Sequence, residues 1–561
     1  VSGGDASAAP INPIPATPPP SEPDASTPAV AARAAASSTR SARLVAAGIL
    51  LSRIAGLIRE RVFAQFFGMS LYADAFRAAL RMPNVLQNLL GEGTLSASFI
   101  PVYAELLEKG RDEEAGRVAG AVFALLLALA GGLSLIGLLL APLIVSVFVP
   151  GFEGERRSLT IACVRIIFPM TGLLVLSAWA LGILNSRRRF FVSYVAPVVW
   201  NVAMIATMVF FGARMGQADL VVALAWGALV GGALQLLVQL PWVLSLERQL
   251  RVRWDTRLEG VRTAARNAGP AILGRGVVQL SGYVDVFLAS VLAEGAVAAL
   301  GYAQTLYLLP ISLFGIAVAA AELPELARGR SGELEALRSR VNGGLRQIAV
   351  FVVPSTVGYL VLGDVIVAAL YETGDFSAAD TLFASVVLAG YAFGLLASTA
   401  TRLFSSAFFA LQDTRTPAKV AVLRVVVAAL VGAALMLWLR QYEVRGHSLG
   451  ALGLSLAAGG AAWIEWALLR RHLRRRIGEV GAGRAFMLKL LGAALAAALV
   501  ARIVYHVVPD ALVPDSDQLR HIVRAGWALV PFAAIYFLGA HALGVPEASA
   551  LGGRVLRRFR R

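Results

Sequence analysis

Residues Ser52–Glu105 read SRIAGLIRERVFAQFFG followed by MSLYADAFRAALRMPNVLQNLLGEGTLSASFIPVYAE. The stretch is apolar enough to be embedded in a membrane. Yet it carries Arg53, Arg59, Glu60, Arg61, Asp74, Arg77, Arg81 and Glu92. Ionisable groups at membrane depth are costly, so they face a bundle interior or a watery cavity and mark functional sites by default. At helical spacing Arg53 and Arg81 fall on the cavity-facing side of two adjacent helices, and Asp74 and Glu92 are acids placed to orient those guanidiniums. The planar guanidinium fork suits phosphate or pyrophosphate. The plainer alternative has the charges snorkelling to the interface and setting topology. It suits Arg59, Glu60 and Arg61 better than Arg53, which has an apolar turn on either side.

The rest of the chain agrees with membrane burial. Of 561 residues, 58% are hydrophobic and 15% charged, and mean hydropathy is +0.70. That balance lies outside the soluble globular range. Apolar runs of about 20 residues, each long enough to span a bilayer as a helix, recur from Leu44 onward. Period-two alternation is absent, which excludes a barrel. The expected class is an all-α polytopic membrane protein with about fourteen transmembrane helices. GEGTLSASFIPVYAEL, after the second span, reads as a segment lying along the interface.

Net charge is +16. The basic residues sit mainly in alternate loops, so orientation rather than nucleic-acid binding is the simpler cause. One loop set holds Arg187-Arg188-Arg189, ERQLRVRWDTRLEGVRTAAR, DTRTPAK and RRHLRRR; the other holds PGFEGERR, YETGDFSAAD and VPDALVPDSD. By the positive-inside rule the first set and both termini are cytoplasmic. The single cysteine, Cys163, has no partner, and the histidines show no ligand spacing. No metal site, cofactor or enzymatic constellation is expected.

The expected division is a Pro/Ala/Ser-rich unstructured tail over 1–42, a first lobe over 43–247, a second over 248–445 with a basic linker at 248–268, a further helix and basic loop over 446–480, and a terminal helix pair with a basic tail over 481–561. A weak internal echo supports two lobes: ILLSRIAGLIRERVFA resembles ILGRGVVQLSGYVDVFLA from Ile272, and Pro83 has a counterpart in Pro310. Two facing repeats with the substrate path between them is a transporter plan.

In SRIAGLIRE (Ser52–Glu60), YADAFRAALRMPNVLQNLLGEG (Tyr72–Gly93), ASFIPVYAE (Ala97–Glu105), FPMTGLLVLSAWALGILNS (Phe168–Ser186) and QDTRTP (Gln412–Pro417), the chain resembles the MurJ (MviN) family of lipid II flippases. The likeness runs from about Leu44 to the end. It implies two six-helix lobes in a V around a cationic cavity, with two C-terminal helices grooved for a lipid tail. It also implies alternating-access transport of undecaprenyl-pyrophosphate-linked peptidoglycan precursor across the bacterial cytoplasmic membrane. The implied substrate residues are Arg53, Arg59, Asp74, Arg81, Asn84 and Glu92, with Ser52 and Glu60 supporting. Gln87 and Thr305 stand where the family commonly has arginines; Arg275 is expected to restore one cation. Some members hold sodium between the seventh and eleventh spans. Here Asp285 matches the seventh-span acid, but the eleventh offers Arg424, so an Asp285–Arg424 ion pair in place of a metal is expected. Asp364 and Glu465 are expected near helix ends. Implied partners are the lipid-linked precursor, membrane lipids and cell-wall or division proteins, around a monomer.

Two readings compete. A drug exporter of the same superfamily would need an acidic cavity, against which Arg53, Arg81 and Arg275 argue. A non-transporting scaffold for cell-wall proteins, or a flippase for another lipid-linked glycan, is kept open by Gln87 and Thr305.

Overall fold

The computed structural model describes residues 28–315 and 333–548. Helices dominate these residues. In chain order they are α1 (Pro28–Phe67), α2 (Leu71–Leu90), α3 (Glu92–Glu108), α4 (Asp112–Phe148), α5 (Gly154–Ser186), α6 (Phe190–Gly212), α7 (Gln217–Leu246), α8 (Glu259–Ser290) and α9 (Ala296–Pro310). After α9 a π-helical turn, Ile311–Gly315, continues the chain. Then follow α10 (Glu333–Val361), α11 (Gly363–Tyr371), α12 (Ala378–Phe393), α13 (Leu395–Ala410), α14 (Arg415–Leu439), α15 (Gly450–Ile477), α16 (Arg484–Val507) and α17 (Asp517–Ala542). Strands β1 (Glu443–Val444) and β2 (His447–Ser448) form an antiparallel clip between α14 and α15.

Eleven helical spans, with α12 and α13 counted together as one, are long and apolar enough to cross a membrane, counting described residues. The expected count of fourteen is not reached by that measure. Helices α1, α2 and α8 are the long ones outside the eleven, and all three interrupt their apolar runs with charge. Helix α1 begins at Pro28, so the segment expected to be unstructured up to residue 42 is helical over its last third. Residues 1–27 lie outside the described ones. Helices α12 and α13 together form one apolar span, Ala378–Ala410, and meet at Gly394, where a Cβ would come within 2.4 Å of Gly459 Cα. The α3 segment, expected along the interface, is instead packed into protein. Its Leu95, Phe99 and Tyr103 are buried, and it lies against α5 and α8.

Two bundles result. In the first, α4, α5, α6 and α7 pack in sequence, with α1 on α6 and α2 on α5. In the second, α15 is the centre, touching α12, α13 and α14, with α9 on α12 and α10 on α13. The α16–α17 pair rests on α10 and α11. Faces turned away from protein carry Leu139, Leu143, Leu430, Leu499 and Val530, all well over half or about half exposed, as expected where lipid is the solvent. The bundles touch where α2 meets α8 and α9.

Candidate functional site

The two bundles are sealed at the end bearing the acidic loops. There the turn after α1 lies against the second bundle backbone to backbone. Asp375 N donates to Gln65 O at 2.9 Å, and the Tyr302 hydroxyl donates to Gly68 O at 3.0 Å. Gly68 has φ +51°, and a Cβ there would sit 2.3 Å from Asp375 O. Arg61 Nη1 donates to Ala369 O at 2.8 Å, at the C-terminal end of α11, where carbonyls lack helical partners.

Asp74 belongs to this seal and not to the cavity in which it was expected. It is fully buried. Its Oδ2 accepts from Gly295 N at 2.8 Å and its Oδ1 from Ala298 N at 2.7 Å. These are donors at the N-terminus of α9, so a carboxylate from one bundle caps a helix of the other, where the helix dipole favours negative charge. Arg156 Nη2 lies 2.7 Å from Asp74 Oδ2. That nitrogen makes no hydrogen bond, so the contact is one of charge attraction.

One layer deeper, Glu60 accepts from Arg59 Nη2 and Arg77 Nη2, both at 2.7 Å. Arg77 also lies over the rings of Tyr302, at 4.1 Å, and Phe63, at 5.0 Å. The Glu60 carboxylate is therefore spent on two arginines, leaving one net positive charge in the triad. Arg59 reaches Asn201 Oδ1 at 3.0 Å and lies over the Trp200 ring at 4.9 Å.

Beyond this layer lie three neighbouring compartments, two between the bundles and one within the first bundle. The first, about 550 Å³, is lined by Ser52, Arg53, Arg59, Glu60, Trp200 and Thr305 among others. The second, about 230 Å³, takes in Arg77, Arg81, Asn84, Asp285, Gln304 and Thr305. The third, about 540 Å³, lies within the first bundle beside Asn84, Gln87, Asn88, Ser177, Trp200 and Gln235. Thr305 is shared by the first two, Asn84 by the last two, and Trp200 by the first and third. Arg53 is exposed to the first compartment. Arg81 Nη1 donates to Gln304 Oε1 at 3.2 Å, which leaves its charge uncompensated by that contact.

Of the residues singled out in the sequence, Ser52, Arg53, Arg59, Glu60, Arg81, Asn84, Gln87 and Thr305 line these compartments. The side chains of Glu92 and Arg275 lie outside the described ones. The expected Asp285–Arg424 pair is not formed. Arg424 Nη1 donates instead to Glu465 Oε2 at 2.8 Å, joining α14 to α15, while Asp285 lines the second compartment. Glu465 accordingly sits mid-helix, not near an end as expected. Asp364 is in the first turn of α11 as expected and takes Arg502 at 2.7 Å. Sequence reasoning missed Arg77, Trp200, Asn201, Gln235 and Gln304 as site residues. Only Arg77 carried a signal, being a charge in an apolar helix. Among the described residues no group of three or more His, Cys, Asp or Glu side chains is placed to hold a metal.

Residues 63–515 match the profile of the family described as lipid II flippase MurJ. The chain is 33% identical over 513 residues to the lipid II flippase MurJ of Burkholderia cenocepacia, covering 89% of this chain and 96% of that one. It is 31% identical to the probable lipid II flippase MurJ of Rhizobium tropici, covering 89% and 93%. Its fold is similar to a structure titled "Lipid II flippase MurJ, inward closed conformation", with TM-score 0.70, 23% identity, and coverage of 89% and 99%. It is also similar to an inward-facing multidrug-resistance MATE transporter, with TM-score 0.61, 17% identity, and coverage of 75% and 94%.

Proposed function

The chain belongs to the lipid II flippase MurJ family, and from that membership we propose that it carries lipid II, an undecaprenyl-pyrophosphate-linked peptidoglycan precursor, from the inner to the outer leaflet of the bacterial cytoplasmic membrane by alternating access. One observation carries the reading: a cavity lined by the cations Arg53 and Arg81 lies between two bundles that are sealed at one end by short-range contacts. A pyrophosphate is the anion such guanidiniums fit best, by charge and by bidentate geometry. Transport needs no covalent step, and the cavity is built for binding and release rather than for catalysis.

The finer points belong to the same proposal. The sealed end faces outward and the basic loops inward, with both termini cytoplasmic, because loop charge sets orientation. The lobes divide near residues 43–247 and 248–445, with 446–480 and the terminal pair 481–561 after them. The protein works as a monomer in contact with membrane lipids, and cell-wall or division proteins are its partners. No metal drives it. Arg53, Arg59 and Arg81, with Arg275, receive the pyrophosphate.

The test is complementation in a strain depleted of its own lipid II flippase. The wild-type chain restores growth, and Arg53→Ala fails to do so at equal membrane abundance. Growth restored in full by Arg53→Ala would remove that residue from the site. Failure of the wild-type chain itself, when stably inserted, would favour another glycan cargo or a scaffold.

A further inference from the structure

The three compartments differ in chemistry. The first two hold every cavity arginine described above. The third is different: none of its described lining side chains is ionisable, and Asn84, Gln87, Asn88, Ser96, Ser177 and Gln235 supply its polar surface. Its volume of about 540 Å³ is within the range of small-ligand pockets, about 300–1,000 Å³. Part of this surface is built rigidly. Gln235 Nε2 donates to Ser177 Oγ at 3.0 Å, and Ser177 Oγ donates to Gln239 Oε1 at 3.0 Å. Gln239 is fully buried behind them. That relay leaves the Gln235 carbonyl as an acceptor for a ligand. Across the pocket, the side chains of Asn84 and Gln87 make no hydrogen bond to the described residues although both line the cavity, so each presents an amide donor and acceptor to whatever fills it.

Primary amides are matched to a neutral ligand that donates and accepts in equal measure. They give an anion little that the neighbouring guanidiniums do not give better, since charge-assisted bonds are roughly twice as strong as neutral ones. A sugar bearing acetamido groups and hydroxyls has the required balance. Trp200 and Pro197 wall both this compartment and the arginine-bearing one, so a pyrophosphate in the latter would put its attached sugar at the mouth of the former.

We propose that the compartment formed by Asn84, Gln87, Ser177 and Gln235 is a subsite for the acetamido-sugar portion of the cargo, separate from the cationic compartment and responsible for telling a glycan-bearing lipid pyrophosphate from a bare one. This rests on the reading of the cavity as a lipid-pyrophosphate site. Discrimination follows from burial: an amide left facing an unfilled or apolar ligand forfeits bonds that the acetamido sugar makes.

The experiment is a binding measurement on the full chain in lipid nanodiscs with three probes: undecaprenyl pyrophosphate, the same lipid carrying an N-acetylated disaccharide, and the same lipid carrying a disaccharide with hydroxyls in place of the acetamido groups. For wild type, the N-acetylated probe binds at least tenfold more tightly than the bare lipid, and the hydroxyl analogue falls between them. In Gln87→Met and Gln235→Met, near-isosteric changes, the ratio between the N-acetylated probe and the bare lipid drops to threefold or less. Arg53→Ala weakens all three probes and keeps their ratio. The probe series on wild type needs no variant, so it stands even where a substitution fails to fold. A wild-type ratio near one, with the bare lipid bound, overturns the subsite alone. So does an undiminished ratio in both folded glutamine variants. Binding of none of the probes overturns the subsite together with the lipid-pyrophosphate reading beneath it.

Discussion

At the scale of single residues, the most informative position is Asp74. Its sequence neighbourhood, an acid opening an amphipathic helix among arginines, reads equally well as a cavity acid and as a helix cap. The partners decide, and they are backbone N–H groups of Gly295 and Ala298, more than 200 positions away in sequence. Backbone donors leave no trace in residue identity, so this role was not legible. Arg53 and Arg81 were legible as cavity-lining, because a guanidinium in an apolar helix has few places to go, whereas Arg59 read equally well as an interfacial charge. Trp200 and Gln235 were not, since a tryptophan and a glutamine in an apolar helix are common without a site. Replacing Asp74 by alanine would leave Arg156 buried without its counter-charge and the α9 N-terminus uncapped. Breaking a buried pair from one side costs about 3–5 kcal/mol. Part of that cost is avoided if the bundles separate and water reaches Arg156. The expected outcome is therefore a shift toward the form open at the acidic-loop end. A cysteine placed near this seal, at Tyr72, should label faster with a membrane-impermeant thiol reagent in Asp74→Ala than with Asp74 intact. Equal labelling would reduce the aspartate to a local cap.

At the scale of helices, two junctions carry separate predictions. The QDTRTP segment turns the chain from α13 into α14. Asp413 Oδ1 accepts from Thr416 N at 2.9 Å and Arg415 N at 3.1 Å, and Oδ2 accepts from the Thr416 hydroxyl at 2.7 Å. These hydrogen bonds hold its pKa below the ordinary aspartate value of 3.8. A carboxylate with a depressed folded pKa stabilises the fold fully above the unfolded value and loses that contribution as pH falls through the folded one. Asp413→Ala should lower stability at neutral pH by about 0.5–2 kcal/mol, the range of a lost helix cap. The gap from wild type should close below the ordinary aspartate range, as thermal melts in detergent across pH would register. The second junction is Arg424–Glu465, tying α14 to α15, with the arginine side chain one-third exposed. Solvent screening brings its value below that of a fully buried pair, to about 1–2 kcal/mol. Arg424→Ala should destabilise more than the double change Arg424→Ala, Glu465→Gln, because the single change strands an acid. Arg424 puts a fixed positive charge on α14, whereas a hard cation needs several oxygen ligands at short distance. Flipping in proteoliposomes should then persist when sodium is replaced by choline at fixed membrane potential. Loss of transport on that exchange would reveal a cation site elsewhere.

At the scale of the whole molecule, the seal and the cavity are built from different parts of the helices. The seal is made of turns and helix ends, whereas the cavity side chains stand on helix interiors. Apolar periodicity and loop charge made the helices and their alternation legible. They could not specify the closed end, since backbone-to-backbone contact depends on the relative placement of two bundles. Glycine is the one residue type through which sequence bears on it. Gly68 ends α1 with φ +51°, a backbone conformation that side-chain-bearing residues rarely adopt, and lies against Asp375 O closely enough that a Cβ would overlap it at 2.3 Å. An alanine there strains the turn by about 1–2 kcal/mol in either form, and in the sealed form it also forces the α1 turn away from residues 373–376. That overlap alone is relieved once the bundles part, so the change disfavours the sealed form. Alternating access requires both forms to be reachable, and a bias of even 1.4 kcal/mol changes their ratio about tenfold. Gly68→Ala should therefore insert and fold at normal abundance, label more readily at a cysteine near the seal, and support growth of a flippase-depleted strain poorly. The cavity arginines would be untouched, so binding of a lipid pyrophosphate should survive the change. Normal growth together with unchanged labelling would mean that the seal yields without opening, and that closure at this end does not limit transport.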